Sequence, residues 1–257
     1  MKGKWKQWSN NYGLFILAAI IFISLWEWIV KKGDIPSFIL PAPSAIFTSL
    51  HENDALLLQH VTVTLQEVLI GFLLSAAGGI LLGIAMHFSK ALEKICYPFL
   101  IISQTVPLIA ISPIFIMWFG YSIWGKVAVT FLTAFFPIAV STYDGLRVGQ
   151  RSYSDLLRTM GAGRFQIFRK VEIPLALPMF LSGLKMAAVY SVVGATIGEW
   201  LGGSAGLGYF SRRMSGNLQA DAVFASVFLL SLLGMIFFFL ITVFEKKVLK
   251  HHFHADS

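Results

Sequence analysis

Six apolar runs, each long enough to cross a lipid bilayer, constrain this chain more than anything else in it. They fall at about 13–30, 63–86, 95–118, 123–143, 176–198 and 222–243. A crossing needs about 20 predominantly apolar residues, and inside lipid only structures that satisfy their own backbone hydrogen bonds persist, so each run is read as a helix. The expected fold class is therefore all-α: one polytopic membrane domain over residues 1–257 with about six transmembrane helices. Composition agrees. Charged residues make up 13% of the 257, against roughly 25% for a soluble domain. The amino end, with Lys2, Lys4 and Lys6 before an apolar run, resembles a secretory signal. That run is longer than a signal's apolar core and has no small-x-small cleavage site, so it is read as a retained span.

The formal charge of +7 does not indicate nucleic acid, because the basic residues lie between spans and form no stripe interleaved with aromatics. Fourteen Lys and Arg fall at the amino end, around 87–94, in 144–172 and in the carboxyl tail. Five fall on the opposite side (Lys31, Lys32, Lys126, Arg212, Arg213), and Lys185 lies within the fifth span. Positive charge marks the cytoplasmic side, so both termini and the 144–172 segment are expected there. A lone cysteine, Cys96, excludes an internal disulfide and a cysteine cage for metal. His251, His252 and His254 read as a solvated tail, and no metal site is expected.

The segment 144–172 is the longest expected cytoplasmic connection. Ser152 and Asp155 have the spacing of a helix start. Leu156, Leu157 and Met160 form one apolar face. Gly161, Ala162 and Gly163 break the helix, Phe165 and Phe168 follow at i, i+3, and Pro174 and Pro178 mark the return to the membrane. Apolar knobs ringed by arginines suit a groove on another protein, or equally a helix lying on anionic lipid.

At this point the residues resemble a known family. Asp155, Gly161, Val171, Ile173 and Pro174 are similar in spacing to the cytoplasmic loop of binding-protein-dependent ABC importer permeases. Leu156 and Leu157 depart from the two alanines of that pattern. Phe38 to Ser44, Gln104 to Gly120, Phe135-Phe136-Pro137 and Gly145 resemble the branch that carries sulfonates, taurine, nitrate and thiamine-pyrimidine precursors. The likeness extends over nearly the whole chain. It implies the type I importer permease fold and a coupling helix, Asp155 to Phe168, set in a cleft of a separate ATPase. It also implies a permease homodimer, an extracytoplasmic solute-binding protein, and residence in a bacterial inner membrane. No phosphate-binding glycine loop of the GxxxxGK[ST] type is present, so ATP and Mg²⁺ are expected on the partner ATPase and no cofactor on this chain. The run Gly198 to Tyr209 resembles the pyrimidine carriers slightly more than the sulfonate carriers.

Single residues add candidates for the translocation path. Pro107 and Pro113 are expected to kink the third span, and the freed carbonyls then need partners or a water-lined cavity. Gln104 stands beside that kink. Lys185, roughly mid-span, either faces an aqueous cavity, snorkels, or anchors the coupling loop. Glu199 follows Gly198 at the outer end of the fifth span, before a glycine-rich run, and the region reads as an ordinary flexible outer loop or as an outer gate. Glu27 and Glu67 are expected to touch headgroups or water. Ser75, Gly79 and Gly83 at four-residue spacing predict close helix packing. A secondary transporter would want carboxylates at span centres and an internal repeat, and a membrane-embedded enzyme a cluster of reactive groups at one depth. Neither pattern is visible.

Overall fold

In the computed structural model residues 2–150 and 153–253 are described, with residues 2–12, 148–150, 154–155 and 251–253 described by backbone alone. The described residues are helical, with no strand. Five helices are long and apolar enough to cross a membrane: Gly13–Lys32, Asp54–Phe88, Ile123–Arg147, Arg164–Gly202 and Ala220–Lys250. A bent pair, Lys90–Ser103 with Leu108–Phe119, makes up to six.

The chain divides into two compact units. The first combines residues 1–58 with 210–228. In it α1 (Lys2–Lys32) leaves Leu14, Phe15 and Phe22 more than two-thirds exposed, as a helix bathed in lipid would. The short α2 (Pro43–Glu52) starts with proline in its first turn, and its N-cap, Ala42, makes no side-chain cap. The missing acceptor comes from α1. Glu27 accepts from Ser44 N–H at 3.0 Å and from Ser44 Oγ at 2.6 Å, with Lys31 Nζ at 2.6 Å. Glu27 is thus occupied as a helix cap rather than left to headgroups.

The second unit, residues 59–209 with 229–257, is built round α6 (Ile123–Gln150). On one side lies α3 (Asp54–Phe88). A Cβ added to Gly79 would fall 2.9 Å from Ile138 Cβ, and one added to Gly83 would fall 2.7 Å from Thr142 Cβ. Ser75 Oγ donates to Phe131 O at 2.8 Å. The small residues of the second span therefore seat it on α6 within one chain. On the other side α9 (Ile173–Gly202) repeats the device. A Cβ on Gly194 would meet Thr130 Cα at 2.8 Å, and one on Gly198 would meet Lys126 Cα at 3.0 Å. Backbones that approach this closely gain dispersion contacts and need no hydrophobic effect to hold them in lipid.

The third expected span is not a kinked helix but two helices. α4 (Lys90–Ser103) and α5 (Leu108–Phe119) meet at 105°. Pro107 is the N-cap of α5, where its missing N–H costs nothing and its fixed φ suits the helix start. Pro113 sits inside α5 and Pro98 inside α4, and neither ends its helix. Of the expected kinks, only the one at Pro107 coincides with the break.

Candidate functional site

Three regions of the second unit carry the chemistry, one at each end of α6 and α9 and one midway between.

At the end where α6 stops, the chain turns through α7 (Ser154–Thr159) and α8 (Arg164–Ile167). Arg151 and Ser152 lie outside the described residues, as does the side chain of Asp155. Gly161 has φ +85, a left-handed conformation open to glycine at no steric cost, and it turns the chain between the two helices. Leu156 is 60% exposed, Met160 75% and Phe165 70%, while Leu157 and Ala162 are half-buried and Gly163 is exposed.

Phe168 differs from the expectation that paired it with Phe165 as a second knob. It is 8% exposed and packs on Phe88 and His87, with ring centroids 4.8 and 5.7 Å apart. The cause is local. The Phe168 N–H still bonds Arg164 O, so Phe165 and Phe168 point about 60° apart on a regular turn, enough for α3 to cover one and leave the other open; the π turn Phe168–Glu172 follows. Phe168 is an anchor, not a docking residue. Around it His87 Nε2 lies 2.8 Å from Glu172 Oε2, both side chains buried, and the Arg164 guanidinium covers the Phe88 ring at 5.2 Å. Pro174 sits in the first turn of α9, where proline is tolerated. The loop thus presents three large apolar side chains on a base tied to α3.

At the far end of the same helices, roughly 30 Å away by helical rise, lies a buried ionic cluster. Glu67, Glu199 and Thr64 are fully buried, Lys126 is 5% and His60 7% exposed. Lys126 Nζ is 2.7 Å from Glu67 Oε1. Thr64 Oγ1 donates to Glu199 Oε1 at 2.6 Å and accepts from Leu207 N–H at 2.8 Å. Gly208 N–H donates to Glu199 Oε2, and Gly206 N–H donates to His60 Nδ1 at 3.0 Å. The expectation that Glu67 reaches headgroups or water is overturned. It is buried because the small-residue contacts bring α3 and α6 so close that its carboxyl meets Lys126. Glu199, in the last turn of α9, holds the loop that follows it. Its carboxylate and its partners collect the amides of the glycine-rich turn, where Gly206 has φ +107 and a Cβ on it would collide with the Glu199 carboxyl.

Midway, the broken span leaves a cavity of ≈ 290 Å³ bounded by Ser103, Gln104, Thr133, Phe136, Pro137 and Tyr190, with four apolar side chains. Of the sequence candidates for the translocation path, Gln104 lines it and Pro107 forms the bend beside it. Pro113 lies within α5. Lys185 is elsewhere: its Nζ donates to both oxygens of Glu245, at 2.9 and 2.8 Å, joining α9 to the helix Ala220–Phe253. The structure therefore separates Gln104, Lys185 and Glu199 into three places. Sequence reasoning missed His60, Thr64, Lys126 and Tyr190. A lysine and two glutamates, each near the end of an apolar run, were the one available signal.

Residues 75–250 match the family described as the binding-protein-dependent transport system inner membrane component. The chain is 44% identical over 92% of its length to the formylaminopyrimidine transport permease protein of Halalkalibacterium halodurans, covering 93% of that protein. It is 30% identical to an aliphatic sulfonates transport permease protein, described as putative, of Bacillus subtilis, covering 91% of this chain and 86% of the relative. It is also 30% identical to the riboflavin transport system permease protein of Chloroflexus aurantiacus, covering 90% and 87%. The multi-pass helical chain is an inner-membrane permease of the binding-protein-dependent ABC transporter family.

Proposed function

We propose that this permease is the membrane-spanning subunit of an ATP-driven importer whose solute is a nitrogen heteroaromatic of the formylaminopyrimidine class. The observation that carries the substrate is the 44% identity, spread over 92% of the chain, to a formylaminopyrimidine permease. The riboflavin relative also handles a nitrogen heteroaromatic. Coupling rests on the loop. Leu156, Met160 and Phe165 are large, apolar and open to solvent, which suits insertion in a protein groove, and the sequence has no nucleotide-binding loop of its own. The loop then docks on a cytoplasmic ATPase that binds ATP-Mg. Two permeases serve the paired ATPases, and a binding protein delivers solute at the opposite face. The bias of Lys and Arg supports cytoplasmic termini and a cytoplasmic loop. ATP-driven closure of the ATPases pushes on α7 and α8, and the rods formed by α3, α6 and α9 carry the displacement.

The experiment is uptake of radiolabelled formylaminopyrimidine into cells carrying permease, ATPase and binding protein, with Gly161→Pro beside the wild type. Proline fixes φ near −65° and cannot adopt the +85 of this turn. The expected result is saturable uptake by the wild type and loss of uptake, with the protein still inserted, in the variant. Uptake of an alkanesulfonate in place of the pyrimidine would transfer the substrate to the sulfonate class, and uptake without ATP would end the importer reading.

A further inference from the structure

The mid-depth cavity has features that a lipid-facing or purely structural gap would not have. Thr133 and Phe136 lie within about 3 Å, along the helix axis, of the midpoint of Ile123–Arg147, and Tyr190 within about 4 Å of the midpoint of α9. At that depth Tyr190 is 41% exposed, and its hydroxyl has no partner among the described residues. A phenol hydroxyl facing hydrocarbon would be left unsatisfied at a cost of a few kcal/mol, so the space it faces must be polar or periodically filled by something polar. The opposite wall supplies the second observation. Between Ser103 and Leu108 the backbone leaves the helix, which membranes tolerate only where the segment is buried in protein or lines a water-filled cavity. Gln104 stands there exposed. Its Nε2 donates to Leu100 O at 3.2 Å, which orients the amide and leaves Oε1 as an acceptor aimed elsewhere.

We infer that this cavity is a substrate subsite within the permease, in which Gln104 Oε1 and the Tyr190 hydroxyl hydrogen-bond the edge of a flat nitrogen heteroaromatic ring while Phe136 and Val193 cover its faces. The inference rests on the function proposed above and adds to it a contact point inside the membrane. The pattern fits an aminopyrimidine: Gln104 Oε1 accepts from an exocyclic amino group, and the Tyr190 hydroxyl donates to a ring nitrogen. The cavity, at ≈ 290 Å³, equals the liquid volume of roughly ten waters, enough for one substituted six-membered ring. Mostly apolar walls with two or three oriented polar groups are the usual make-up of a small-molecule site. A sulfonate, by contrast, would find no cation here: Lys185 is held by Glu245 and Lys126 by Glu67.

The test uses the complete importer, permease with ATPase and binding protein, in proteoliposomes with radiolabelled formylaminopyrimidine. Tyr190→Phe and Gln104→Leu each remove one hydrogen bond and little volume. The expected result is a drop of about tenfold in solute moved per ATP hydrolysed, with hydrolysis stimulated by the loaded binding protein unchanged. A merely structural role would lower uptake and hydrolysis together, and that outcome overturns the inference, as does wild-type transport by both variants. A second measurement stands apart from turnover. In a Cys96→Ala background, the thiol introduced by Tyr190→Cys should react with a membrane-impermeant thiosulfonate, and formylaminopyrimidine should slow that reaction. An unreactive thiol, or one the solute does not protect, overturns the subsite. If the wild type takes up no formylaminopyrimidine, the proposed substrate fails and the subsite with it. If wild-type uptake is normal and the variants match it, the subsite alone fails.

Discussion

At one end of α6 and α9 the chain leaves Leu156, Met160 and Phe165 open, on a short loop resting on Phe168. At the other end it buries two carboxyls, an ammonium, a hydroxyl and an imidazole against one another and wraps a glycine-rich turn onto them. The first region is incomplete alone, because its apolar area finds no cover in the described chain. The second is complete, because nearly every polar group in it meets another from the same chain. A surface that awaits a partner tolerates substitution without loss of fold, whereas a buried network of charges does not.

That contrast can be broken most forcefully at Lys126. Lys126→Met removes the ammonium and leaves Glu67 and Glu199 facing each other without a counter-charge. Removing one member of a buried pair costs about 3–5 kcal/mol. We expect little folded permease in the membrane, read by accumulation and by thermal unfolding in detergent, and near-normal melting would show the cluster to be unimportant for the fold. A smaller effect belongs to Gly206→Ala. Its Cβ collides with Glu199 at a backbone φ of +107, so overpacking of about 1–3 kcal/mol is expected, with protease sensitivity confined to the turn at 203–208. The smallest change in stability is expected at the open end. The double variant Met160→Ala, Phe165→Ala should melt within about 0.5 kcal/mol of wild type yet lose ATPase binding in a pull-down from solubilised membranes. Equal loss of stability at both ends would erase the distinction.

The spans were legible because about 20 apolar residues in succession have few other fates, and the glycine spacing of the second span told of close packing. The bend was legible only in part. Proline marks where a helix can end, yet Pro98, Pro107 and Pro113 are alike in sequence, and only packing decides which becomes a terminus. The ionic cluster was hidden for a different reason. Glu67, Lys126 and Glu199 each stand near the end of an apolar run, where a charge ordinarily meets water, and their pairing exists only once α3 and α9 both close on α6. Phe168 was misplaced because side chains three residues apart still point about 60° apart, and only the position of α3 decides which of the two is covered.

The π turn at Phe168–Glu172 has a consequence for which insertions and deletions this protein can survive. A π turn holds one residue more than an α turn, so removing a single residue there would restore a regular spiral at no loss of hydrogen bonds. Because those five residues wind the chain about as far as four do in an α-helix, everything upstream would keep its bearing about the axis of α9, with Arg164 still over Phe88 and Phe165 on its present side. A one-residue deletion in this stretch would therefore leave both the helix and the direction of its tip intact, whereas the same deletion in the regular helix after Ile173 would swing the loop by about 100°.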